Sequence, residues 1–166
     1  MPATFRIRGV FAAILAVSLF PFSQQDRLQQ VRSRFERETD PVRRAKLMVP
    51  LEKVEFDQIE KQVSGSELSA ALDNLREYEN DATGCGKSLD ALGVNAEKHS
   101  AGFKELEISV RESLRRLNNV LVSLSADEQK PFLEIRDDLD QLNRHLIKEL
   151  FPSQPGNSPG AAKPKN

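Results

Sequence analysis

The stretch LSAALDNLREYENDATGCGKSLDAL, residues 68–92, admits two readings that lead to different folds. Its segment Gly84-Cys85-Gly86-Lys87-Ser88 resembles the end of a phosphate-binding P-loop, which in α/β proteins follows a buried strand. Its apolar residues tell another story. Leu68, Ala71, Leu75, Tyr78, Ala82, Cys85, Leu89 and Leu92 recur in unbroken steps of three and four, the pattern of a helix packed lengthwise on others.

The helical reading wins on context. A P-loop needs a first glycine where this chain has Asp81, whose carboxylate would be aimed at the bound anion. The residues before it, LDNLREYEN, are polar and helical in pattern, and no later run of four apolar residues ends in Asp. The apolar line also runs straight through the motif, at Ala82, Cys85 and Leu89. Gly86-Lys87-Ser88 is therefore expected to bind no nucleotide. Gly84 and Gly86 then cost the helix roughly 1 kcal/mol each, for close packing of a neighbour or for a local break that would expose Cys85.

The same spacing extends to both sides. Ser64-Gly65-Ser66-Glu67 offers a Ser-x-x-Glu capping box before the helix, and Gly93 and Asn95 can turn the chain after it. Phe103, Leu106, Val110, Leu114, Leu117, Leu121 and Leu124 mark a further helix, and Ser125-Ala126-Asp127-Glu128 a second capping box. Phe132, Ile135, Leu139, Leu142, Leu146 and Leu150 mark the last helix, where Pro131 could split off a first turn. Upstream, Asp40 suits an N-cap and Pro41 a first helical position, for a helix reaching about Val63 that Pro50 should kink or split. Leu28, Val31 and Phe35 give a shorter helix before it.

No segment alternates as a strand does, so the predicted class is all-α. The predicted architecture is a bundle of four long antiparallel helices plus a shorter N-terminal helix, with Leu75, Leu117 and Leu139 in its core. A chain of 166 residues, 30% charged and 6% aromatic without Trp, fits one such domain.

Three segments follow. Residues 1–23 read as a signal peptide or short apolar targeting segment: Arg6 and Arg8 precede GVFAAILAVSLF, a run of 12 residues, short for a bilayer span. The cleavage site is poor, since Ala16-Val17-Ser18 comes early and a cut after Ser23 places Pro21 where a small residue belongs. Residues 24–151 form the bundle. Residues 152–166, with four prolines and no large apolar residue, are expected to be disordered.

Without residues 1–23 the chain keeps 22 basic against 25 acidic residues, a net of −3, so no overall positive field exists to hold nucleic acid. Residues 27–46 are an exception, with seven basic and three acidic residues. Positive charge after an apolar segment opposes its translocation. Arg27, Arg32, Arg34, Arg37, Arg43 and Arg44 form either a solvated helix face or a contact with anionic lipid, the latter if residues 9–22 anchor the chain to a membrane.

Chemistry is scarce. Cys85 is the only cysteine, placed by its seam position in the core, and neither His99 nor His145 is tied to it. His145, Glu149, Asp137 and Asp138 share a helix but lack the Glu-x-x-His or His-x-x-x-His spacing of a metal site. No carboxylate stands in an apolar setting that would raise its pKa. The sequence thus nominates no catalytic, cofactor or metal residue. It predicts an exported, non-enzymatic helical bundle of a bacterial-type cell envelope that binds or scaffolds an unidentified protein partner. The alternative is a periplasmic bundle with a metal or small ligand inside. Buried acids and histidines facing one another would favour that alternative, and an aliphatic interior the first reading.

Overall fold

The computed structural model describes residues 24–152. The targeting segment expected at 1–23 and nearly all of the tail expected to be disordered lie outside those residues. The described chain is all-helical: α1 (Gln24–Arg37), α2 (Pro41–Ser64), α3 (Leu68–Asp90), α4 (Phe103–Val122) and α5 (Ala126–Leu150). The four longer helices form the bundle and α1 is the shorter N-terminal helix.

Local chemistry sets most of the ends. The Asp40 side chain accepts the Arg43 N–H at 2.8 Å, and Pro41 opens α2 as its first residue. At the start of α5 the Glu128 carboxylate accepts the Ser125 backbone N–H at 2.9 Å and its hydroxyl at 2.6 Å. The expected box at 64–67 does not form. Ser64 is the last residue of α2, its hydroxyl donating to the Lys61 carbonyl, and Glu67 caps α3 without a side-chain bond. The tight turn between the two helices needs a left-handed residue, and Ser66 supplies it at φ 63°. The two internal prolines do not split their helices, because packing holds the chain helical on both sides. Pro50 lies within an unbroken α2, and Pro131 within an unbroken α5.

Consecutive helices run antiparallel, but the two hairpins do not meet that way. Ser109, near the start of α4, bonds the carbonyl of Met48, near the start of α2, while Asp90 at the end of α3 meets His145 near the end of α5. So α2 lies parallel to α4 and α3 parallel to α5, with α3 and α4 on the diagonal. Residues 91–102 make that diagonal crossing over one end of the bundle. Gly102 completes it at φ 87°, where a Cβ would lie 3.2 Å from the Val42 Cα and 2.9 Å from a Leu89 methyl. Its N–H is held by the Glu105 carboxylate at 2.7 Å. Only glycine fits this corner without strain.

The seams fall where the spacing put them. Ala71, Leu75, Tyr78, Ala82, Cys85 and Leu89 are buried, as are Leu117 and Leu139. Leu92 is a correction: α3 ends at Asp90, so Leu92 falls in the crossing segment and stays 42% exposed. Gly86 has a packing reason, since a Cβ there would sit 2.9 Å from a Leu142 methyl of α5. Gly84 has open space around it, and nothing in the structure explains it. The two should therefore respond differently to alanine. Gly84→Ala is expected to stabilise by about 0.5–1 kcal/mol through backbone entropy. Gly86→Ala should lose that gain to the displaced Leu142. Equal shifts in thermal midpoint would contradict the packing account.

Candidate functional site

The polar groups of interest lie along α2. Its inner face reads Met48, Leu51, Glu52, Glu55, Phe56 and Ile59, so two carboxylates are carried in among apolar side chains. Both are buried, Glu52 at 5% and Glu55 at 3% exposure. This overturns the expectation that no carboxylate sits in an apolar setting. The signal was available: Glu52 falls four residues after Met48 and four before Phe56, on the very stripe that marks the core.

Each carboxylate meets an arginine from a different helix. Arg116 of α4 approaches Glu52 at 3.7 Å, Asp57 at 2.8 Å and Glu60 at 2.7 Å, and its guanidinium stands 5.5 Å from the Phe56 ring centroid. Burial pushes the Glu52 carboxyl up to about 7. Arg116 pulls the other way, while Glu112, Asp57 and Glu60 add repulsion. The acids around Arg116 hold its own proton even more firmly, with the hydrogen bond to Glu60 leading. Phe56 also stands edge-on to Tyr78, ring centroids 5.4 Å apart at 88°. Tyr78 donates to the Ser109 hydroxyl at 2.9 Å, and Ser109 donates to the Met48 carbonyl at 3.0 Å. Ser109 was not expected in the core; a partner for a buried phenol is what calls for it.

The second centre joins α1 to α2 and α3. Arg32 pairs with the buried Glu55, with Glu77 at 2.7 Å and with Asp81 at 3.1 Å. Arg44 reaches Asp81 at 3.8 Å and covers the Phe35 ring at 4.4 Å. Burial raises the Asp81 pKa against the pull of Arg32 and Arg44. The arginine-rich stretch thus divides. Arg32 and Arg44 are held at the bundle surface by its acids, Arg43 pairs with Glu38 at 3.3 Å, and Arg27, Arg34 and Arg37 are exposed.

Asp81 is also where the P-loop comparison ends. Gly86, Lys87 and Ser88 lie within the regular turns of α3, and the Ser88 hydroxyl donates to the Gly84 carbonyl at 2.8 Å. Backbone N–H groups in such a turn point along the helix to the preceding carbonyls. Cys85 is 2% exposed, and burial pushes its thiol up to about 11, partly offset by Arg44. It should label slowly with a thiol reagent in the native protein and rapidly in denaturant. Fast native labelling would mean that α3 opens at its glycines.

His145 faces Asp90 across the exposed α3–α5 seam, its Nε2 3.0 Å from the carboxylate, whereas His99 lies exposed between α3 and α4. Among the described residues no group of three or more His, Cys, Asp and Glu is placed to hold a metal ion. A cavity of about 530 Å³ opens at the end of the bundle where α2 meets α3 and α4 meets α5. It is lined by Val63, Leu68, Val120, Leu124, Glu60 and Glu128, among others. Among the described residues, no helix is long and apolar enough to cross a membrane. In comparisons with known proteins, no family model, no curated protein and no solved structure matches the chain.

Proposed function

We propose that this chain is an exported, non-catalytic helical bundle of a bacterial-type cell envelope that binds or scaffolds a partner protein. The observation that carries the reading is the seclusion of its reactive groups. Glu52 and Cys85 have pKa values moved into an unusual range, yet among the described residues neither lines the five cavities of about 160 to 530 Å³. A general acid or nucleophile must reach its substrate. These are sealed in the packing, which leaves the surface as the working part. The metal- or ligand-binding alternative calls for acids or imidazoles facing one another; Glu52 and Glu55 each face an arginine instead. Export rests on Arg6, Arg8 and the apolar run at 9–20.

The test is chemical cross-linking of the tagged full chain in its own envelope fraction, followed by purification and metal analysis. A saturable partner protein and substoichiometric metal are expected. A chain confined to the cytoplasm defeats the export half, and one recovered alone defeats the partner half. Stoichiometric metal would replace the reading with its alternative.

A further inference from the structure

Resting on the partner-binding reading, we propose that the acidic groove between α2 and α3 is the docking surface for a basic amphipathic helix of a partner protein, and that α1 is its displaceable resident.

Glu55, Glu77 and Asp81 converge on the single guanidinium of Arg32. α1 is the natural template for what fits there: an arginine at position 32, a ring at position 35 under Arg44, and a partly buried Val31 one turn before that ring. Its hold is one-sided. Of its described side chains only Phe35 is fully buried, with Leu28 and Val31 partly so, α1 packs against α2 alone among the helix backbones, and residues 38–40 join the two.

α1 also fills the groove incompletely. A cavity of about 160 Å³ remains beneath it, between Leu28, Gln29, Gln58, Asn74 and Glu77, with Glu55 and Arg32 at its wall. Glu55 is 3% exposed, and its Oε2 has no hydrogen-bond partner. A buried carboxylate oxygen without a donor beside a cavity is an unmet demand for a further hydrogen-bond donor, which a Lys or Arg head group can supply. Gln29 lines that cavity one turn before Arg32. A helix with Lys or Arg at the Gln29 position, Arg at the Arg32 position and an aromatic at the Phe35 position satisfies the groove better than α1 does. Recognition then combines charge with an apolar anchor, the helix-in-groove mode. Displacing a resident helix lowers the apparent affinity by the fraction of molecules in which it is undocked.

The test uses the full chain and fluorescent peptides of residues 24–37. The peptide with Gln29→Lys is expected to bind at least tenfold more tightly than the unaltered peptide. Arg32→Ala in the peptide should abolish binding, whereas Arg32→Ala in the host chain should tighten it at least tenfold by loosening the resident. A second host, Glu77→Gln, changes a half-exposed side chain and should weaken the peptide several-fold without unfolding the bundle. Hydrogen exchange should open the α1 amides ahead of α2–α5. The proposal is overturned if the Arg32→Ala host stays helical yet binds no peptide, or if α1 exchanges only with the whole bundle. Dimers that form through exchanged α1 helices and exclude the peptide would assign the groove to a second copy instead. Cross-linked partner that survives Glu77→Gln and Gln29→Lys in the full chain would leave partner binding standing and place it on another surface.

Discussion

Phe56→Ala is expected to destabilise the protein by about 3–5 kcal/mol, among the largest losses any single substitution here should cause. Phe56 is wholly buried on α2, and three helices depend on its ring. It packs edge-on to Tyr78 of α3, and Arg116 of α4 lies over it. Alanine removes the ring's transfer free energy and leaves a cavity that bundle backbones cannot close. It also strips the apolar cover from the Glu52–Arg116 pair. A domain of this size has roughly 5–15 kcal/mol of stability to lose, so the midpoint of urea denaturation should fall far with little change in slope. Phe56→Leu should recover most of the loss. A loss below about 1 kcal/mol for Phe56→Ala would mean that α2 does not face α3 and α4 as described.

Glu52→Gln is expected to change the pH dependence of stability and to raise stability in mild alkali. The folded protein holds the Glu52 proton more tightly than the unfolded chain does, since burial lifts its pKa from an ordinary 4.5 to about 7. Between those values the native state binds more protons, so stability falls as pH rises. The contribution is fully present below pH 4.5, is lost progressively up to about pH 7, and stays lost above. The loss is on the order of 3 kcal/mol. Glutamine carries no proton to lose. Near pH 4.5 the variant should match the parent, and at pH 8 it should exceed it by roughly 3 kcal/mol. Arg116 keeps Asp57 and Glu60 in both. Parallel stability curves for the two proteins would show that Glu52 is solvated in the native state. Taking the difference between variant and parent cancels the exposed carboxylates Glu112 and Glu128, whose pKa values are shifted down.

Both predictions rest on contacts that no local pattern reveals, and this separates what was legible in the sequence from what was not. The three-four spacing of residues 71–89, 103–121 and 132–150 determined the helices and which side chains they bury. The reason is local: a helix repeats every 3.6 residues, so spacing alone defines a face. Asp40 and the Ser125–Glu128 pair set helix starts for the same reason, because a cap acts within one turn. The capping motif at 64–67 failed because α2 runs on through Ser64 and the turn that follows places its left-handed residue at Ser66.

Only the tertiary structure decided the rest. Spacing put Glu52 and Glu55 on the inner stripe, but their partners come from elsewhere in the chain: Arg116 from α4 and Arg32 from α1. The same holds for Arg32 with Asp81, 49 residues apart, and for the hydroxyl of Ser109, which reaches a carbonyl 61 residues away. Charge and hydrogen-bonding groups are satisfied through space, and which helices lie side by side depends on how the crossing at 91–102 places α4 against α2. The same dependence divided the arginine-rich stretch, turning Arg32 and Arg44 onto Asp81 while leaving Arg34 and Arg37 outside. A helix face follows from period, but a partner follows from topology, because burial makes an ionised group seek whatever opposite charge the fold brings within reach.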